Sequence, residues 1–177
     1  MKKLLILAVL TAAVTGFAAA GGLVFQLGAG YHSSYVGELP SDVDAGLAEL
    51  KNMPLGVGGY AGLGWGFGEK KMFSLGAEFA PSWTMSFDPM GLSNFGYQVR
   101  GFLKFKPAKM LTLTGFGGYA GNSFAGGSLD EMINAGNAVF GARLTVLFLY
   151  AEYAAEMPWD MSSVYKHDIG IGFAFFK

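Results

Sequence analysis

In Leu23-Val24-Phe25-Gln26-Leu27-Gly28-Ala29-Gly30-Tyr31-His32 every second residue is apolar. Leu23, Phe25, Leu27, Ala29 and Tyr31 share one parity, while Gln26, Gly28, Gly30 and His32 share the other. Successive side chains of an extended chain point to opposite faces, so a period of two marks a strand with one greasy and one polar face. The pattern recurs along the chain. Leu55, Val57, Ala61, Leu63, Trp65 and Phe67 alternate with glycines and Tyr60, and Phe73, Leu75, Ala77, Phe79 and Trp83 with Ser74, Gly76, Glu78 and Ser82. Phe95, Tyr97, Val99, Leu103 and Phe105 interleave with Gly96, Gln98, Arg100 and Lys104. Leu111 and Leu113 alternate with threonines until Phe116 breaks parity, which marks either a bulge or a side chain filling the interior. Ala138 to Val146, Leu149 to Ala155 and Ile169 to Phe175 complete a set of eight strands.

The 177 residues fit one domain. With 52% hydrophobic and only 14% charged residues the composition is the opposite of a disordered chain. Its 28 glycines follow no three-residue period, which excludes collagen. A formal charge of -1 with scattered lysines argues against nucleic-acid partners. The absence of cysteine removes disulfides, thiolate metal sites and cysteine catalysis.

Residues 1–20 read as a cleavable signal peptide: Lys2 and Lys3, an apolar run from Leu4 to Val14, and Ala18-Ala19-Ala20 before the cut. The barrel occupies 21–177, with a net charge of -3.

Connection lengths alternate too. Gly68-Glu69-Lys70-Lys71, Lys106-Pro107-Ala108-Lys109 and Leu147-Phe148 are short turns. Stretches from Ser33 to Met53, Thr84 to Asn94, Gly121 to Gly136 and Pro158 to Val164 are long, and Ser41 to Asn52 has the makings of a short helix in the first of them. Short turns at one end and long loops at the other is the layout of an all-β, eight-stranded antiparallel up-and-down transmembrane β-barrel. An eight-stranded interior is too narrow for the bulky parity. That parity therefore faces lipid, with aromatics at both rims, and glycines, threonines and ionisable groups turn inward. A soluble lipocalin-like barrel would reverse this facing.

Charge separates along the axis. The turn end carries a balance of +4 and the loop end -7, while interior charges cancel. Folding neighbouring strands about their connections pairs Glu78 with Arg100, Arg143 with Glu152, and Glu156 with Lys166; Lys104 and Asp168 are further interior charges. Such pairs serve either as a gate or as a static polar plug. An eight-stranded lumen favours the plug.

The leader, the eight alternating strands and the ending His-Asp-Ile-Gly-Ile-Gly-Phe-Ala-Phe-Phe-Lys resemble the small outer-membrane barrels of the OmpA-membrane-domain, OmpX and OmpW type. The resemblance implies insertion with periplasmic termini and external loops, with outer-membrane lipids as surroundings. It also implies a barrel-assembly signal read from Ile169, Ile171, Phe173 and Phe175, although Phe176 and Lys177 follow here.

No phosphate loop, metal-ligand spacing or nucleophile elbow is present, so no cofactor, metal or catalytic residue is expected. His32 with Ser33 and Ser34, and His167 with Asp168, are the remaining candidates for lipid-modifying chemistry; opposite parity separates the two histidines, which fit better as rim residues. Trp83, Met85, Met90, Met157 and Trp159 would form a candidate apolar mouth. The chain reads as a non-enzymatic barrel with a structural or surface-interaction role. The alternatives are an OmpW-like conduit for hydrophobic small molecules and, more distantly, a lipid-modifying enzyme.

Overall fold

In the computed structural model the described residues are 21–37, 55–68, 70–85, 93–124, 136–158 and 165–176. The expected leader and the helix at Ser41 to Asn52 lie outside them. Eight strands follow in order: β1 Gly22–Gly37, β2 Leu55–Phe67, β3 Phe73–Met85, β4 Ser93–Ala108, β5 Leu111–Phe124, β6 Asn137–Val146, β7 Leu149–Pro158 and β8 Tyr165–Phe176. Each pairs antiparallel with its sequence neighbours, and β1 pairs with β8 to close the barrel. Closure satisfies the strand edges, the condition for crossing a bilayer with sheet.

The wall is inside-out relative to a soluble protein. Along β1, Leu23 is 57% exposed and Phe25 60%, whereas inward Gln26 is 4% exposed. On β4 Leu103 is 58% exposed beside Arg100 at 1%. Leucine, valine and phenylalanine stand outward on every strand, far beyond the few hundred Å² of apolar patch that a water-soluble monomer tolerates. The barrel therefore spans a membrane. Its turn-end rim carries stacked aromatic pairs, Phe73 on Phe105 at 4.8 Å and Phe148 on Phe173 at 6.1 Å between centroids, as expected of an interfacial girdle.

One turn differs in detail from the sequence expectation. Pro107 does not end β4; the strand continues to Ala108 through a register shift after Phe105, which leaves Lys109 and Met110 as the turn. A proline without N–H is accommodated at such a bulge. The Leu147-Phe148 turn is as short as expected, with Leu147 at φ 56°.

The inner glycines have a packing reason. A Cβ on Gly28 would lie 2.5 Å from the Tyr60 ring; on Gly76 and Gly141 it would meet the carbonyl oxygens of Leu63 and Tyr153 first, each at 2.3 Å, and then the rings of Phe102 and Phe116, each at 2.7 Å. Glycine on one strand thus makes room for a large ring leaning from another. Phe116 keeps inward parity and fills the interior, the second of the two readings open for it, and Phe102 does likewise.

Candidate functional site in the barrel lumen

Parity aims Glu78 of β3, Arg100 of β4, Arg143 of β6 and Glu152 of β7 at the axis, and all four are buried. Register places Glu78 opposite Arg100 and Arg143 opposite Glu152. Arg100 lies 2.8 Å from Glu78, and Arg143 2.6 Å from Glu152. Both guanidinium groups also reach across the lumen: Arg100 is 2.7 Å from Glu152, and Arg143 is 2.8 Å from Glu78. The four groups form one ring of alternating charge that ties two opposed pieces of wall together. Planar guanidinium forks suit this double engagement.

Aromatic rings complete the setting. The Arg143 guanidinium sits 3.3 Å from the Tyr60 ring centroid and that of Arg100 3.9 Å from Phe116. Ring faces attract cations and exclude water, so the desolvated charges keep partners on several sides. Gln26 donates from Nε2 to Glu78 at 2.5 Å.

Towards the loop end, Lys166 stands 3.2 Å from Glu156 and 3.3 Å from Asp168. Gln98 joins this cluster to the ring. Its amide nitrogen donates to Glu156 and to Asp168, each at 2.8 Å, while its carbonyl oxygen accepts from Arg100 at 3.0 Å. Neither glutamine stood among the candidate site residues; inward parity two positions before Arg100 was the available signal for Gln98. Towards the turn end, Lys104 is buried with Nζ 5.6 Å from the Phe102 ring and no hydrogen-bond partner among the described residues.

The histidines are not at a water boundary. His32 is inside the barrel with Nε2 2.9 Å from the Tyr150 hydroxyl. His167 has outward parity yet is only 1% exposed, stacked on Tyr153 with Nδ1 2.7 Å from its hydroxyl. The tyrosine on the adjacent strand shields it from lipid and satisfies the ring. With the barrel wall between them, the two do not share a site.

Of the candidate apolar mouth, only Trp83, Met85 and Met157 fall among the described residues. Trp83 and Met85 are half-exposed on the outer face, and Met157 shares the outward parity of its partner Ala138. Met90 and Trp159 lie outside the described residues. Ile169, Ile171, Phe173 and Phe175 occupy the outward parity of β8.

No protein-family model matches the chain, and no curated protein matches it. Among solved structures it is similar to the Yersinia pestis attachment invasion locus protein Ail in complex with the heparin analogue sucrose octasulfate, at 16% identity and a TM-score of 0.48 over 86% of this chain and 99% of that one. Ail in a phospholipid bilayer nanodisc gives 16% identity and a TM-score of 0.41 over 84% and 99%. A de novo designed transmembrane β-barrel gives 19% and 0.38 over 84% and 94%.

Proposed function

We propose that this chain is a closed outer-membrane β-barrel with a structural or surface-interaction role, holding its long connections at the cell surface rather than conducting solutes or catalysing a reaction. Residues 1–20 are removed on export, and Ile169, Ile171, Phe173 and Phe175 present the assembly signal to the barrel-assembly machinery. The observation that carries the reading is the contact of Arg100 with Glu152, 2.7 Å across the lumen. A plug made of four mutually bonded charges leaves no aqueous path, and opening it would separate buried ion pairs at roughly 3–5 kcal/mol for each broken partner. The ring is therefore static.

The long connections all leave from one end, the end at which β1 stops and β2 starts. Membrane lipids cover the wall, so any further partner meets these connections. A tag placed within 125–135 is expected to bind antibody on intact cells, and the purified barrel is expected to leave a planar bilayer non-conducting. A tag reached only after the cells are opened, or a steady ion current, would contradict the proposal.

A further inference from the structure

The β2–β3 ladder has a break. Partners run from Leu55 with Met85 to Gly58 with Ser82, then resume in the same register at Ala61 with Phe79. Gly59 and Tyr60 have no ladder partners in Ala80 and Pro81. Pro81 has no N–H to donate, and a proline this deep in a strand costs the ladder a bond. The other side of β3 is intact, with Pro81 opposite Tyr97.

The wall is indented where the ladder fails. Over Ala29, Gly59 and Ala61 lies an apolar groove of about 770 Å³, flanked by Phe79, Trp83 and Phe95. Tyr60 and Ser82, residues of inward parity, also line it. A second depression over Gly115, Ala142 and Ala151 is about 360 Å³ and sits on unbroken ladders. On the inner side of the seam, Ala80, Pro81 and Ser82 border a cavity of about 10 Å³ beside His32 and Gln98. That is the size of about one water molecule.

We propose that the groove at Pro81 is a lipid site that retains one acyl chain from the loop-side leaflet. It is continuous with the apolar face that meets the bilayer, so acyl chains are what it opens onto. From Val57 to Ala61 it follows β2 for about 13 Å, close to the roughly 15 Å of one leaflet's hydrocarbon. The inner cavity has room for one water to serve the peptide groups at the break from the lumen side, and the chain closes the seam on the lipid side, where no water is at hand. The inference rests on the membrane-spanning reading.

The test uses two single-tryptophan chains, one keeping Trp83 (Trp65→Phe, Trp159→Phe) and one keeping Trp65 (Trp83→Phe, Trp159→Phe). Both are folded into phosphatidylcholine vesicles brominated along the acyl chains and then exchanged into bromine-free detergent. Both tryptophans are expected to be quenched in the vesicles. After exchange Trp65 recovers while Trp83 stays quenched. Ala61→Leu, which fills the groove, and Pro81→Ala, which supplies the missing N–H, each let Trp83 recover in a barrel whose heat-dependent gel mobility shows it folded. Recovery of Trp83 alongside Trp65 in the parent chain would overturn the site, as would a dimeric mass in detergent without residual quenching, since a second copy would then hold the groove. Absence of quenching from both tryptophans in the vesicles would overturn the membrane-spanning reading itself.

Discussion

Arg100 and Glu152 meet at 2.7 Å although β4 and β7 are not neighbours in the barrel. This contact, with its counterpart between Arg143 and Glu78, turns two cross-strand pairs into one cross-lumen ring. Each guanidinium answers two carboxylates, so removing any member of the ring takes from two others one of their two ion-pair partners.

Glu152→Ala is therefore expected to cost roughly 3–5 kcal/mol, because both arginines lose a buried partner. Combining Arg143→Met with Glu152→Leu leaves the Arg100–Glu78 pair intact at 2.8 Å and should cost less than the single change. Urea unfolding in phospholipid vesicles measures both. A Glu152→Ala chain as stable as the parent would show that the ring contributes nothing.

Gln98 links the ring to the loop-end cluster through three hydrogen bonds. Gln98→Leu should destabilise by about 1–3 kcal/mol, the cost of leaving buried polar groups unsatisfied. Gln98→Glu should be worse, since it adds a third carboxylate beside Glu156 and Asp168. Unfolding midpoints of the three chains give the order; equal midpoints would mean that water replaces the amide without loss.

The neighbouring pairs and the cross-lumen contacts were not equally legible. Strand period and turn length set the antiparallel register, and register alone brings Glu78 level with Arg100 and Arg143 level with Glu152. Reaching across the lumen depends on barrel diameter and side-chain length, which no period encodes. The same limit hid the roles of Gln98 and Tyr60, both visibly inward but without a partner in sequence. His167 was legible as outward yet not as covered, because its shield, Tyr153, is a cross-strand packing detail. The Pro81 break lay in plain sight as a proline inside an alternating run; its consequence appears only with β2 beside it.

Inner glycines are fitted to particular rings. A Cβ on Gly170 would stand 2.6 Å from His32 Cε1, with no backbone among its three nearest atoms. Gly170→Ala is expected to cost about 1–3 kcal/mol by overpacking. In a His32→Ala background the same change should cost far less. A thermal double-mutant cycle reads the coupling, and strict additivity would contradict the ring-over-glycine account.

Leu147 holds φ 56° at the first position of a two-residue turn. A side chain there costs about 1–2 kcal/mol relative to glycine. Leu147→Gly should therefore raise the unfolding midpoint in detergent, with a gain of about 1 kcal/mol. A lowered midpoint would mean that the leucine's contact with the membrane surface outweighs the strain.

The inside-out wall is tested most directly by spin labels on single cysteines, since the chain has no cysteine of its own. Labels at Val99, Leu103 and Leu144 report the outer face, and labels at Ala120 and Ala154 the lumen. In vesicles the outward set should collide freely with oxygen dissolved in the acyl chains and scarcely with a water-soluble nickel chelate, while the lumen set meets little of either. Free nickel access at Val99, Leu103 and Leu144 would contradict the account.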